Sequence, residues 1–554
     1  MQDTCYKIDK DGKVVAPKPG ECAQYGESGP GRSTDKAKNV IVFIGDGMGD
    51  SEITSARNYL YGANGRLPGL DNLKYTGSYT HFSLNPQTGK PNYVTDSAAS
   101  STAWNTGTKT YNGAIGVDML GKPVPNLLEN AKARGMKTGN VSTAEIEDAT
   151  PAGAATHALN RKCYGPEMDK NKQACQGEKF KKQFRENGGL GSIAEQLVDV
   201  RADVTLGGGA KAFAQKVQVS GKFGGSTQWT KGKSVLDNAK ANGYTVVTDA
   251  AGLESVKKAD QDAPVLGLFS EGNMPRQFLR TTPTADGAEG EAKACQVNPE
   301  RSDSVPTLAA MTTKAMDLLQ NKNGFFMQVE GASIDKSDHD ADACGQIGEL
   351  DDLDQAIQAA QKWVSQSGEP TLIVATADHA HTSQITSDQD RTAGLTTRLL
   401  TADGAPMVIN YANAPTNGED ALGGQNHTGS QLRIAASGPG AQNVIGRTDQ
   451  TDLFFTVLNA LPENKDAKPS EPSQPTEPTE PTEPSAEPGS DKDHSTESKP
   501  AEGDKGKTTA ASGKAGNSST SSLARTGVPA ISLLLIAGGA VAAGVGAMRY
   551  KKNM

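Results

Sequence analysis

Short runs of apolar and β-branched residues recur along the chain at 39–44, 138–142, 203–206, 244–247, 264–269, 325–329, 371–376 and 407–410. They do not alternate apolar with polar, so both faces must be covered, as for strands inside a parallel sheet. Between them lie stretches with helical spacing at 125–135, 192–200, 305–320, 350–364 and 452–460. This alternation predicts an α/β fold, a large, mainly parallel sheet flanked by helices on both faces. Functional groups in such sheets gather beyond the carboxyl ends of the strands. Asp46 follows the first run, Glu330 the sixth and Asp378-His379 the seventh. Only one continuous sheet sets these ends side by side, which favours a single large domain over several small ones.

The remainder of the 554 residues divides by composition. Residues 1–37 form an N-terminal segment with an expected disulfide, 38–461 the catalytic domain, 462–522 a spacer rich in Pro, Thr and Glu, and 523–554 a terminal signal. The spacer cannot bury a core and should stay disordered and extended. After it come Leu523-Ala-Arg-Thr526-Gly527, an apolar stretch over 528–548 and the cations Arg549, Lys551 and Lys552. The stretch is long enough to span a bilayer, with the cations on the cytoplasmic side. This trio resembles the sorting signal of Gram-positive wall proteins, which implies that a sortase cuts between Thr526 and Gly527 and joins Thr526 to peptidoglycan. Ala524 departs from the commoner proline. Met1 is not followed by an apolar signal core, as expected of a secreted chain whose signal has been removed.

Six cysteines, none in C-x-x-C spacing, point to disulfides outside the cytosol. Their connectivity is open; order along the chain pairs Cys5 with Cys22, Cys163 with Cys175 and Cys295 with Cys344. A net charge of −9 without Lys/Arg runs in the globular part excludes a nucleic-acid surface. An anionic small substrate needs a local positive site instead.

The chemistry converges on Ser97. It follows Asp96 where the small residues of Asp96-Ser-Ala-Ala-Ser100 begin a predicted helix, the place for a phosphate-attacking hydroxyl. Most serines at such positions only cap helices, so the case rests on what surrounds it. Asp335 and His339 stand four apart and share one helical face. Asp378 and His379 are adjacent, and His427 supplies a further nitrogen. Each has a bland reading as a surface charge pair, a strand cap or a loop histidine. Together, Asp46, Glu330, Asp335 and Asp378 in one crevice would repel one another and raise their pKa values unless cations neutralised them. Two zinc ions suit the N and O donors, and one magnesium ion suits the oxygen donors Thr150 and Glu330. Arg161, beside Cys163, can grip two phosphate oxygens.

The motifs NVIVFIGDGMGDSEITSARN, VTDSAAS, VSTAEIEDATPA, RKCYGP, VEGASIDKSDH, TADHAHTSQI and NHTGSQLRIAA, in this order over 38–461, resemble the bacterial alkaline phosphatases of the periplasmic type. The resemblance implies hydrolysis of phosphate monoesters with Ser97 as nucleophile. It implies one zinc on Asp335, His339 and His427, a second on Asp46, Asp378 and His379, and magnesium on Asp46, Thr150 and Glu330. It further implies phosphate binding by Arg161, roles through water for Asp148 and Lys336, and a homodimer. His381 is expected to orient a ligand rather than bind metal. The rival readings are a diesterase or sulfatase on the same scaffold and a wall protein that keeps the fold without the catalysis.

Overall fold

Ten strands pair into one sheet, and their register brings the suspected residues together. In chain order they are β1 (Asn39–Gly45), β2 (Tyr75–Thr80), β3 (Lys137–Glu145), β4 (Val204–Gly208), β5 (Thr245–Val247), β6 (Val265–Leu268), β7 (Phe325–Gly331), β8 (Thr371–Ala377), β9 (Leu432–Ser437) and β10 (Gly446–Asp449). The spatial order is β5-β6-β4-β3-β7-β1-β8-β9-β2-β10. Neighbours are parallel except that β9 runs against both β8 and β2. This computed structural model describes residues 33–388, 394–414 and 425–463, with a short pair of strands at Lys7–Ile8 and Val14–Val15.

All residues of β1, β7 and β8 are buried, so both faces of the sheet centre are covered, as their unbroken apolar runs require. Ser142 of β3 lies opposite Glu330 of β7, Glu330 opposite Ile44 of β1, and Ile44 opposite Thr376 of β8. The chain leaves β1 and β8 within two residues of that row, so Asp46 and Asp378 emerge side by side.

The runs at 39–44, 138–142, 203–206, 244–247, 264–269, 325–329 and 371–376 all enter this sheet. The run at 407–410 does not: it belongs to Pro406–Tyr411, the central strand of a separate antiparallel sheet with Ser383–Thr386 and Leu395–Leu400. A doubly covered strand records that it is covered, not by which neighbours. Two strands of the large sheet, β2 and β10, lack an apolar signature. β2 reads YTGSYT at a half-exposed edge region, and β9, which runs against both its neighbours, makes the sheet mixed rather than wholly parallel.

The expected helices occur at Leu127–Ala133, Ile193–Val200, Leu308–Leu319, Ala343–Ser367 and Gln450–Ala460. Cys163–Cys175 and Cys295–Cys344 are disulfide-bonded. No helix among the described residues is long and apolar enough to cross a membrane. The 528–548 stretch, the spacer beyond residue 463, the Leu523–Gly527 motif, Cys5 and Cys22 lie outside the described residues.

Candidate active site

Ser97 is the first residue of helix α1 (Ser97–Thr106), whose N-cap Asp96 accepts the backbone N–H of Ala99 at 3.0 Å. The serine is thus both cap-adjacent and buried, with its Oγ 3.3 Å from His379 Nε2 and 3.5 Å from Asp46 Oδ1. Ser100, one turn on, donates to the Asp378 carbonyl at 3.0 Å and pins the helix to the end of β8. The amino end of α1 therefore directs its partial positive charge at the row of strand ends.

Two ligand clusters flank that hydroxyl: Asp335, His339, His381 and His427 in one, Asp46, Asp378 and His379 in the other. Helix α3 (Ser333–His339) follows β7 and carries Asp335 and His339 on one face, as their spacing predicts. Asp335 Oδ1 lies 2.7 Å from His381 Nε2, 3.4 Å from His339 Nε2, 3.4 Å from His427 Nε2 and 3.8 Å from His379 Nε2. His379 Nε2 is 3.4 Å from Asp46 Oδ1 and 3.1 Å from Asp378 Oδ2. Gly47 makes the approach possible. With φ of 72° it turns its N–H onto Asp378 Oδ1 at 2.8 Å, and a Cβ there would stand 3.0 Å from the Asp335 backbone.

The imidazole tautomers test whether a cation fits. His339 Nδ1 faces the Gln425 carbonyl at 2.8 Å and His427 Nδ1 faces the Thr95 carbonyl at 3.1 Å. Both Nδ1 atoms must then carry the hydrogen, which leaves two Nε2 lone pairs 3.0 Å apart. Neutral rings so placed repel unless a positive charge lies between them. Asp378 Oδ2 is likewise buried without a hydrogen-bond donor. These residues fit a metal ion.

A third group extends from the same row. Glu330 accepts the Ser142 hydroxyl, and the neighbouring Thr150 hydroxyl, on helix α2 (Ala149–Ala155), is buried without a partner. Asp148 caps α2 by position and collects three donors: Tyr164 OH at 2.8 Å, Arg161 Nη2 at 3.1 Å and Lys336 Nζ at 3.1 Å. Arg161 Nη1 reaches Asp96 Oδ2 at 3.3 Å, so one guanidinium ties the cap of α1 to that of α2. Ser97, Asp148, Arg161, Asp335, Lys336, His339 and His427 line one cavity of about 470 Å³.

Electrostatics bear out only part of the expected mutual repulsion. Burial, then Asp335 and Asp378, raises the Asp46 carboxyl, and burial lifts Glu330 to about 7. Burial also works to raise Asp335 and Asp378, but the hydrogen bond from His381 holds Asp335 well down, and the adjacent His379 holds Asp378 down. Against burial, Lys336 and Arg161 hold Asp148 ionised.

Every site residue named from the sequence lies in these connected groups. Three partners escaped it. Tyr164 on Asp148 was within reach in the RKCYGP motif; Ser142 on Glu330 needs the strand register, and Gln425 behind His339 needs the loop geometry. His381 Nε2 lies 2.7 Å from Asp335 Oδ1, and His381 also falls within the first ligand cluster.

A buried serine hydroxyl between two clusters of metal-type ligands, at the carboxyl edge of a largely parallel sheet, defines an α/β protein with a candidate metal-binding active site. An alkaline phosphatase family model matches residues 37–423. The alkaline phosphatase of Escherichia coli (strain K12) is 56% identical over 431 residues, covering 77% of this chain and 87% of that protein. Alkaline phosphatase H of Pseudomonas aeruginosa (strain UCBPP-PA14) is 53% identical, with 77% and 86% covered. The streptomycin-6-phosphate phosphatase of Streptomyces griseus is 43% identical, with 77% and 90% covered. Among solved structures, the cold-active alkaline phosphatase of a Shewanella species aligns with a TM-score of 0.55 at 26% identity, covering 77% of this chain and 100% of that one. The chain belongs to the alkaline phosphatase family and is an enzyme of that class.

Proposed function

We propose that the enzyme hydrolyses phosphate monoesters by passing the phosphoryl group to Ser97 and then to water. The observation that carries this reading is Ser97 Oγ, held 3.3 Å from His379 and 3.5 Å from Asp46 at the amino end of α1, in the cavity that Arg161 also lines. In the first displacement the Ser97 oxygen bonds to phosphorus as the bond to the alcohol oxygen breaks. The serine proton leaves to solvent and the departing alkoxide takes one up. Arg161 gives one N–H each to Asp96 and Asp148, and its remaining terminal N–H groups are free to bind two phosphoryl oxygens. In the second displacement water attacks the phosphoserine from the vacated side as the Ser97 Oγ–phosphorus bond breaks; the water gives up a proton and the serine oxygen takes one up, and configuration at phosphorus is retained overall. Lys336 and Asp148, 3.1 Å apart, orient that water and hold compensating charge.

When bound, zinc on Asp335, His339 and His427, zinc on Asp46, Asp378 and His379, and magnesium on Asp46, Thr150 and Glu330 would supply Lewis acidity and positive charge to the reacting oxygens. The test is p-nitrophenyl phosphate hydrolysis by the full chain at alkaline pH, before and after chelation, with zinc and magnesium restored singly and together. Full recovery only with both metals is expected. Activity that survives complete chelation would sink the assignment.

A diester preference is the rival outcome, read from the ratio of monoester to diester turnover. A sulfatase would want Cys or Ser in a C/S-x-P-x-R context. The run Ser28-Gly-Pro-Gly-Arg32 has that form, but it lies outside the described residues, and the hydroxyl between the ligand clusters is that of Ser97.

We further propose a secreted homodimer displayed on the cell wall through Thr526. The sorting-type terminus motivates this, and two disulfides suit an oxidising exterior. Release from walls by muramidase in wild type but not in Thr526→Ala cells tests the anchor, and sedimentation tests the dimer.

A further inference from the structure

The cavity beside Ser97 is larger than a phosphoryl group needs. At about 470 Å³ it falls within the range of pockets that hold whole small ligands. Its wall carries five cationic side chains, Arg161, Lys162, Lys172, Arg276 and Lys336. Three are committed to carboxylates: Arg161 to Asp96 and Asp148, Lys336 to Asp148, and Arg276 to Asp340 and Asp342. The ammonium groups of Lys162 and Lys172 are not. Among the described residues neither has a hydrogen-bond acceptor or an ion-pair partner, and Lys162 meets only the Tyr164 ring, 5.8 Å from its centroid. Glu145, on the same wall, is acted on by both lysines. The two ammonium groups thus remain without an acceptor in the same cavity that Ser97 and Arg161 line.

Their backbone is built rather than loose. Lys162 directly precedes, and Lys172 lies within, the segment closed by Cys163–Cys175. Within it the buried Asn171 side chain accepts from the Gly165 N–H at 2.9 Å and donates to the Gly165 carbonyl at 2.7 Å. Gln176 donates to the Asn171 carbonyl at 2.6 Å. Burial, then the Arg161 charge, lowers the Lys162 ammonium to about 8, so an anion at this position would restore its full charge.

We propose that Lys162 and Lys172 form a second anion subsite that selects monoesters whose alcohol part carries another phosphate group. The inference rests on the phosphomonoesterase reading and names a substrate class within it. The reaction is unchanged, with one phosphoryl–oxygen bond cleaved by one water; the second phosphate is bound, not transferred.

The test uses the full chain loaded with zinc and magnesium and a matched pair of esters, propane-1,3-diol monophosphate and the 1,3-bisphosphate. After allowance for its two equivalent phosphates, the bisphosphate should show kcat/KM about tenfold higher at low ionic strength, with the excess shrinking as salt is added. In the double variant Lys162→Met/Lys172→Met the ratio should fall to near unity. Competitive inhibition by propane-1,3-bisphosphonate relative to propylphosphonate should follow the same pattern without turnover. Equal kcat/KM for the two esters in wild type, or a preference that survives the double variant, overturns the subsite alone. Failure of the metal-loaded, folded enzyme to hydrolyse either ester overturns the monoesterase reading and the subsite with it.

Discussion

Arg161→Ala removes the group that joins the two helix caps and is assigned to the phosphoryl oxygens. Hydrogen bonds to charged groups contribute about 1.5–3 kcal/mol each, so loss of the two-bond fork, about 3–6 kcal/mol, lowers kcat/KM by roughly 150-fold to 25,000-fold. The structure puts the effect toward the upper end. Asp96 and Asp148 accept from Arg161 at 3.3 and 3.1 Å, and without it they face an incoming dianion. Asp148 keeps Lys336 and Tyr164, so Asp96 is the carboxylate left less compensated on this side. Arg161→Lys restores the charge but not the planar fork and should recover only part of the loss. The assay is p-nitrophenyl phosphate kinetics with inorganic phosphate as competitive inhibitor, alongside zinc and magnesium content. Phosphate presents the same oxygens, so its Ki should rise by a factor comparable to the fall in kcat/KM, with metal content unchanged. An unaltered phosphate Ki beside a large kinetic loss would refute the claim that Arg161 binds the phosphoryl group.

Ser97→Ala should remove most turnover while metal content stays at the wild-type value; near-normal turnover would return Ser97 to the role of a helix residue. His381→Asn, which loses the 2.7 Å contact to Asp335, should weaken zinc binding by about ten- to a hundredfold in chelator competition, and an unchanged affinity would deny His381 its orienting part. Glu52 is buried with both carboxylate oxygens unpartnered, and burial raises it to about 7 from 4.5. The native state therefore holds a proton that the unfolded chain has lost between those values, so its contribution to stability falls as pH rises through the window and is constant above it. Glu52→Gln should be the more stable protein at pH 8, by up to about 3 kcal/mol, with the advantage vanishing near pH 4.5 in denaturant titrations; an advantage that does not change with pH would contradict this.

Much of the fold was legible because strands covered on both faces must be apolar throughout. Seven of the eight runs became neighbours in one sheet for that reason. The run at 407–410 shows the limit, since its apolar residues satisfy a different sheet equally well. β2 was invisible because an edge region tolerates YTGSYT, whose exposed face has no need of apolar side chains.

The site divides along the same line. The ligand types and their spacing are properties of the sequence: Asp335 and His339 share a helical face because they stand four apart, and Asp46 and Asp378 follow buried strands. What only the tertiary structure decides is which atoms meet. Ser142 and Glu330, 188 positions apart, touch because β3 and β7 pair in one register, and a shift of a single residue would turn the side chains to opposite faces. The opposed lone pairs of His339 and His427 arise because carbonyls of two distant segments, at Gln425 and Thr95, claim the other ring nitrogens. Residue identity sets which charges and donors are present. Whether they repel, pair or call for a cation depends on distances of a few ångströms, and those exist only once the sheet has closed its register.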